Sequence, residues 1–219
     1  MATRCAYVLA LLACMAMQES ARAGDLHALV VDSDARPLAD AVIVAFPASG
    51  RVESAKPGTV VEDQIDKEFV PYVQVLRVGS QVTFPNKDNI RHHVYSFSPA
   101  RKFELPLYSG TSASPVLFDK VGVIKLGCNI HDWMIGYLYV TDAPYFGKTT
   151  AQGRFELKGL PAGMYTVRAW HPLLDGTEES TAQKIEVKDN APSLLKWVFK
   201  LKREFRPSRA PLPGDPGYR

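Results

Sequence analysis

Short apolar runs separated by turn residues constrain the fold of this chain more than any other feature. Runs rich in Val, Ile, Tyr and Phe, such as YVQVLRVGSQVTFPN, HHVYSFS, VIKLG and YLYVTD, alternate with segments that carry many of the 15 glycines and 16 prolines. Runs of this length bounded by Gly and Pro are typical of β-strands, whereas an amphipathic helix needs apolar residues at a sustained 3.6-residue period. The sequence lacks that longer period and therefore predicts an all-β protein built from sandwiches.

The first 23 residues have the composition of a secretory signal peptide. Arg4 precedes an apolar stretch from about Ala6 to Met17, and Ala21-Arg22-Ala23 matches a signal peptidase site, which predicts cleavage before Gly24. Leu11-Leu12-Ala13-Cys14 is an alternative site of the lipoprotein type. The apolar stretch is shorter than the roughly 18 residues of a membrane-spanning helix, and no later stretch is as apolar. We expect no membrane span and a periplasmic or secreted bacterial protein.

Cysteine usage points to a chemical role for one thiol. Cleavage before Gly24 removes Cys5 and Cys14 and leaves Cys128 as the only cysteine. A lone thiol in an oxidising compartment has no internal disulfide partner, so its presence there requires a reason. The structural alternative is a small buried apolar side chain.

The segment around that thiol, CNIHDWM, carries three donor atoms that suit one soft metal ion. Cys128, His131 and Met134 are spaced three residues apart, so a tight loop between two strands can turn all three inward. A thiolate and two imidazoles with a distant thioether suit copper in both oxidation states. The second imidazole must come from elsewhere, and His92 or His93 is nearest in sequence. Zinc is less well matched, because structural zinc sites usually have four strong ligands, often several cysteines.

Two independent motifs resemble those of cupredoxins, the type 1 blue copper proteins. The spacing in CNIHDWM is similar to that of the amicyanin branch, and FPNKDNIRHHV resembles the turn before the first histidine ligand, which lies six residues after Asn86. The resemblance implies a Greek-key β-sandwich over residues 59–140. It also implies one copper ion bound by four side chains: His92, Cys128, His131 and Met134.

The residue after the first ligand departs from the family pattern. Cupredoxins usually have Asn there, with a side chain that helps to tie the two ligand loops together, whereas this sequence has His93. His93 therefore stays an alternative to His92 as the ligand. The resemblance implies a tie between His93 and Asn129.

The segments on either side of this region resemble a second fold. Residues 26–47 and 141–200 are similar to the opening and later strands of the carboxypeptidase regulatory-like, or transthyretin-like, β-sandwich. We expect one small sandwich made from both segments, with the cupredoxin inserted between them. The simpler alternative adds 26–47 to the cupredoxin and leaves 141–200 alone. Residues 201–219 are rich in proline and arginine and are predicted to be a disordered tail. The combined architecture resembles bacterial methylamine utilisation proteins.

The expected function is electron transfer. A site filled by four protein ligands has no position for a substrate, and the sequence has no phosphate-binding Gly-rich loop and no nucleophile elbow. We expect a non-enzymatic one-electron carrier that serves a periplasmic redox partner such as a cytochrome or a dehydrogenase. The alternatives are a non-redox copper carrier or storage module that delivers the ion to a cuproenzyme, and a scaffold that acts through its regulatory-like domain.

Charge and the remaining aromatic residues add smaller expectations. A net charge of +3 is too weak to indicate a nucleic-acid partner. Trp133, Tyr108 and Phe103 are expected to form an apolar docking patch near the copper edge. His27 and His171 lie outside both motifs and are expected to be structural or surface groups. The sequence leaves the oligomeric state open.

Overall fold

The computed structural model describes residues 23–49, 56–110, 114–189 and 191–203. Over these ranges the chain forms β-strands and one short 3-10 helix, Glu179–Thr181, without an α-helix, so the all-β prediction is confirmed. The predicted signal peptide lies outside the described residues except for Ala23, where the first strand begins. Within the described ranges, no helix is long and apolar enough to cross a membrane.

The strands follow one another closely along the chain. In order they are β1 (Ala23–Asp32), β2 (Val42–Pro47), β3 (Thr59–Val61), β4 (Asp63–Ile65), β5 (Glu68–Val70), β6 (Val73–Arg77), β7 (Ser80–Thr83), β8 (His92–Ser96), β9 (Phe103–Tyr108), β10 (Val116–Phe118), β11 (Gly122–Cys128), β12 (His131–Thr141), β13 (Tyr145–Lys148), β14 (Arg154–Pro161), β15 (Gly163–Trp170), β16 (Gln183–Val187) and β17 (Pro192–Phe199).

Strands from the two ends of the chain form one sandwich, here called the terminal sandwich. One sheet has the order β14-β1-β17 and the other β13-β2-β15-β16. β1 pairs antiparallel with β14 and parallel with β17, and β2 pairs antiparallel with β13 and β15. Both strands of the first segment thus pair with strands of the third segment, which is the pairing that the insertion hypothesis requires. Buried side chains from both sheets form the core, including Leu26, Val30, Ile43, Val167 and Trp197.

Strands from the middle of the chain form a second sandwich, here called the central sandwich. A five-stranded sheet of order β6-β12-β11-β8-β9 faces a three-stranded sheet of order β10-β7-β3, and the hairpin β4–β5 stands beside them. Alternate residues of β11, namely Ile124, Leu126 and Cys128, point into the core, as the two-residue period of a strand requires. Phe84 and Phe118 close the core from the opposite side. Because side chains alternate along β11, the side chain of Cys128, its last residue, points into the core.

A third apolar cluster, here called the seam, joins the two sandwiches. It consists of buried Val42, Val44, Val73, Tyr137, Tyr139 and Ala143. Alternate residues of β2 and β12 face the seam, and the residues between them face a sandwich core, so both strands are buried on both sides. Polar contacts also cross the seam: Lys148 Nζ donates to Val73 O at 2.8 Å, and Tyr139 donates its hydroxyl proton to Glu178.

The predicted tail begins too early. Leu201 forms a β-bridge with Leu174, and the backbone N–H of Lys202 donates to Leu173 O at 2.7 Å. These bonds extend the terminal sandwich past residue 200, because Leu201 packs against its core although the local sequence has no apolar period. Residues 204–219 lie outside the described part of the chain.

Candidate metal centre

The CNIHDWM segment forms a β-hairpin whose turn is Asn129-Ile130. β11 ends at Cys128 and β12 begins at His131, and these two residues pair directly across the hairpin. A register shift follows, because Gly127 pairs with Ile135, four residues further along β12 than His131. The shift matters for the donor atoms. Residues three apart on a regular strand point to opposite faces, but here both His131 and Met134 are buried.

Cys128 lies between two imidazole rings. Its Sγ is 3.7 Å from His92 Nδ1 and 3.6 Å from His131 Nδ1, and the three donor atoms all lie within 4.8 Å of one another. The thiol is only 3% exposed and forms no disulfide within the described residues. The structure therefore brings together three of the predicted ligands.

Met134 is 1% exposed and belongs to the same apolar cluster as Cys128. Both residues also line one cavity of about 460 Å³. The fourth predicted ligand thus lies in the neighbourhood of the thiol, with its side chain in the core of the central sandwich.

The two adjacent histidines of β8 point to opposite faces of the sheet. His92 is fully buried beside Cys128, whereas the Nε2 atom of His93 lies 2.8 Å from Glu104 Oε1 on the outer face. The structure thus brings the side chain of His92, and not that of His93, to the thiol. Strand alternation alone leaves both choices open, because it says nothing about which face of β8 turns inward.

The tie between the ligand loops is made by backbone atoms instead of side chains. The Asn129 N–H donates to His93 O at 3.2 Å, while the His93 side chain is engaged by Glu104. The two residues are therefore linked, but by a backbone hydrogen bond that does not depend on the identity of their side chains.

The turn before β8 is organised by Asn86. Its side-chain amide donates to Ile90 O at 2.8 Å and Tyr108 O at 3.0 Å, and its Oδ1 accepts from the Asp88 N–H at 3.0 Å. These bonds fix the chain between Asn86 and His92. They explain physically why an asparagine six residues before a ligand is informative.

Asp88 lies within the FPNKDNIRHHV motif and contacts the buried candidate ligand His92. Its Oδ2 lies 2.7 Å from His92 Nε2. Burial raises the pKa of Asp88, but hydrogen bonds from His92, Lys67 and Asp66 outweigh that effect and the net pKa is below the usual value. A carboxylate four residues before a candidate histidine is a sequence signal, although only the fold shows that the two meet.

His131 lies at the edge of the site. It is 8% exposed, and its ring centroid is 5.2 Å from that of Trp133 and 4.9 Å from that of His92. Burial, together with electrostatic effects of His92 and Lys67, lowers the pKa of His131, and Asp88 opposes this shift. A lower pKa favours the neutral imidazole, which is the form that binds a metal ion.

The expected apolar docking patch is wrong for two of its three members. Phe103 packs against Phe84 and Phe118, with ring centroids 5.5 and 5.8 Å apart, and Tyr108 donates its hydroxyl proton to Phe84 O. β9 is an edge strand, and its pairing with β8 contains a bulge opposite His92 to Val94. The extra residue of a bulge reverses which side chains of the strand point inward, so Phe103 and Tyr108, five residues apart, both face the core.

The other two histidines lie away from the donor cluster. His171 is buried, and its Nδ1 accepts from the Leu173 N–H at 3.2 Å. His27 stands on the outside of the terminal sandwich, 4.0 Å from Glu156 Oε1. These positions agree with the expected structural and surface roles.

The spacing of the donor atoms fits a single metal ion. Nitrogen and sulfur bound at about 2.0 and 2.3 Å, with about 120° between the two bonds, are about 3.7 Å apart. The two nitrogen–sulfur distances in this structure are 3.7 and 3.6 Å. A buried thiol that contacts two imidazole nitrogens at these distances therefore matches a trigonal two-nitrogen, one-sulfur site.

Comparison with known proteins gives limited similarity. No protein-family model and no curated protein matches the chain. Among solved structures, a copper-containing nitrite reductase from Thermus scotoductus matches at 23% identity over 44% of this chain, with a TM-score of 0.37. A purple cupredoxin from Nitrosopumilus maritimus matches at 22% identity over 38% of this chain and 99% of its own, with a TM-score of 0.33.

A reduced amicyanin variant matches at 21% identity over 45% of this chain and 99% of its own, with a TM-score of 0.35. This chain spans only 25% of the nitrite reductase chain. The structural neighbours are cupredoxin proteins, matched at low coverage. The assignment of metal ligands in this chain rests on the donor geometry described above.

Proposed function

We propose that this protein is a type 1 copper protein that carries single electrons between redox partners. The observation that carries the proposal is the position of Cys128 Sγ between the Nδ1 atoms of His92 and His131. Those three residues would hold the copper ion, with the thioether of Met134 as a weaker fourth donor. The other features below support this assignment.

The chemistry of the donor set selects the metal. One thiolate and two imidazoles with a thioether suit copper, whereas structural zinc sites favour four strong ligands. When bound, copper supplies a couple between its +2 and +1 states. The chain holds the donor atoms in a buried, nearly preformed arrangement, so little rearrangement is needed when the charge changes.

The donor set also argues against catalysis at this site. Four side chains would surround the ion and leave no position for a substrate, which suits electron transfer through the ligand edge. His131 is next to the turn of the hairpin, where Ile130 is 48% exposed. We infer that a redox partner protein, such as a cytochrome or a dehydrogenase, approaches from this end.

The proposed location is the periplasm or the extracellular space. The signal-like segment before Gly24 supports it. So does the single thiol of the mature chain, which metal binding would protect from the oxidation that such a compartment promotes.

The first test is visible absorption of the purified mature protein during titration with cupric ion. An intense blue band from thiolate-to-copper charge transfer is expected at one equivalent, and Cys128→Ser should abolish it. His93→Ala is the matched control and should keep the band, because His93 points away from the site. Copper bound without the band, or the same weak spectrum in Cys128→Ser, would contradict the proposal.

A second measurement separates electron transfer from copper delivery. A carrier should cycle reversibly in voltammetry and keep its copper in the presence of an excess of a competing chelator. A delivery protein should lose the ion to the chelator rapidly in at least one oxidation state. Fast loss without reversible cycling would favour the delivery function.

A further inference from the structure

Asp88 uses both of its carboxylate oxygens in the loop beside the metal ligands. Oδ1 accepts from the Asp66 N–H at 2.7 Å, and Oδ2 accepts from the Lys67 N–H at 2.9 Å and lies 2.7 Å from His92 Nε2. The side chain is 12% exposed. A carboxylate held by three N–H groups has little freedom to move with the ring that it contacts.

The two backbone donors belong to the turn of the β4–β5 hairpin. Asp66 and Lys67 have φ values of 54° and 60°, as in a type I′ turn, whose central residues both have positive φ. Successive N–H groups in a tight turn can form an anion-binding concavity. Here that concavity contains the carboxylate of Asp88.

The hairpin is also fixed to the turn that leads to β8. The Gln64 N–H donates to Pro85 O and the Lys87 N–H donates to Gln64 O, each at 2.9 Å. Asp88 is therefore positioned from the hairpin and from its own turn at once. The ring of His92 is the only partner in this group that faces the metal centre.

We propose that Asp88 is the positioning residue of the metal centre: it fixes the ring and the tautomer of His92 and holds the reduction potential down. A carboxylate only accepts hydrogen bonds, so His92 Nε2 must carry the proton. Nδ1 then presents its lone pair to the space beside Cys128 Sγ. Partners of this kind orient a ligand histidine and raise its basicity.

The effect on the potential follows from charge and rests on the proposed copper function. A negative charge on the far side of a ligand ring stabilises the +2 state more than the +1 state, because its attraction grows with the charge of the ion. Removing it should weaken cupric binding more than cuprous binding. The reduction potential should then rise.

The test compares Asp88→Asn with Asp66→Asn. Both variants remove one negative charge from neighbouring positions, but Asp66 contributes only its backbone N–H to the network, and that group remains. Asn also tolerates positive φ. If Asp88→Asn does not fold, Asp88→Ser removes the same charge and leaves an oxygen for the hairpin N–H groups.

The first readout needs no metal. In the metal-free protein at about pH 8, we expect a slowly exchanging, downfield Nε2–H resonance from His92, because the carboxylate of Asp88 accepts a hydrogen bond from that group. Asp88→Asn should remove or displace it, and Asp66→Asn should keep it. An unchanged resonance in Asp88→Asn would overturn the positioning role, whether or not the protein binds copper.

The second readout uses the copper-loaded protein. Asp88→Asn should lower cupric affinity by about 10–100-fold. If the loss for the cuprous ion is tenfold smaller, the potential rises by about 59 mV. If Asp66→Asn and Asp88→Asn change the reduction potential equally, the effect comes from the loss of a surface charge in general, and the proposal is overturned. A wild-type protein without the blue band would instead contradict the copper function, while the resonance test still decides the positioning role.

Discussion

Met134 serves both the packing of the central sandwich and the proposed metal site. It is buried in the apolar core, where replacement of Met by Leu conserves volume and changes the free energy of unfolding by less than about 1.5 kcal/mol. The axial ligand tunes the potential of a trigonal copper site. Its two contributions can therefore be separated by one substitution.

We expect Met134→Leu to keep the blue band and to raise the reduction potential, because a sulfur donor to the oxidised ion is lost. Voltammetry and urea unfolding of the metal-free protein would check both parts. Met164→Leu is the matched control, since Met164 is 49% exposed on the terminal sandwich. A reduction potential equal to that of the wild type would show that Met134 contributes to core packing and does not bind the metal ion.

Glu62 is a fully buried acid whose two carboxylate oxygens have no hydrogen-bond partner in the described structure. Burial raises its pKa well above the usual value, with Lys148 opposing and Asp63 adding to the shift. Because the folded pKa is the higher one, the unfolded chain releases this proton first. Stability is thus greatest below the unfolded pKa of about 4.3 and falls as the pH rises toward the folded pKa.

Glu62→Gln should remove this slope. Urea unfolding at about pH 5 and about pH 8 should show that the variant gains stability relative to the wild type as the pH rises, since its amide does not titrate. Glu68→Gln, at an exposed position of β5, is the control and should follow the wild type. Parallel pH profiles of wild type and Glu62→Gln would contradict the burial argument.

At the scale of secondary-structure elements, the turn between β13 and β14 depends on a glycine that another strand approaches closely. Gly153 has φ of +69°, and a Cβ there would lie 2.4 Å from Val30 O. Gly159, within β14, has the same φ of +69° but nothing within 4 Å of such a Cβ. Replacement of Gly159 therefore introduces backbone strain alone, whereas replacement of Gly153 introduces the same strain and a steric clash.

Gly159→Ala should lower the free energy of unfolding by about 1–3 kcal/mol, the range for a non-glycine residue in this conformation. Gly153→Ala should lower it by more, because a backbone oxygen of β1 has to move as well. Thermal unfolding of both variants is the measurement. Equal losses would mean that the turn adjusts without strain in β1.

We expect the seam to make the whole molecule unfold as one unit, because it packs buried side chains of both sandwiches against one another. Val44 faces the seam and not the terminal core, so a charge there opposes contact between the sandwiches without entering either core. We expect the wild type to unfold in one calorimetric transition and Val44→Asp to unfold in two. Val198→Asp, on an exposed face of β17, should keep a single transition. Two transitions in the wild type would contradict a cohesive seam.

Sequence patterns predict the all-β fold class and the members of the donor cluster, because both depend on residues that are close together in the sequence. Short apolar runs and turn residues identify strands, and the spacing of Cys128, His131 and Met134 depends only on one hairpin. The choice of His92 depends on which face of β8 packs inward, which the strand does not encode by itself. The contact with Asp88 depends on a hairpin about twenty residues earlier.

The seam is equally hidden from the sequence. Val42 to Ala45 form one apolar run, and such a run looks the same whether a strand is covered on both faces by its own domain or by a second one. The inward rings of Phe103 and Tyr108 depend on a bulge, which no local pattern announces. These misses share one cause: each depends on tertiary packing.

β12 spans the distance between the candidate metal centre and the terminal sandwich. His131 begins the strand, and Tyr139, which donates to Glu178 of the terminal sandwich, follows eight residues later, roughly 27 Å away along a strand. Electron tunnelling weakens exponentially with distance. If the centre carries electrons as proposed, a partner on the far side of the terminal sandwich would exchange them too slowly, and productive encounters would take place at the hairpin end.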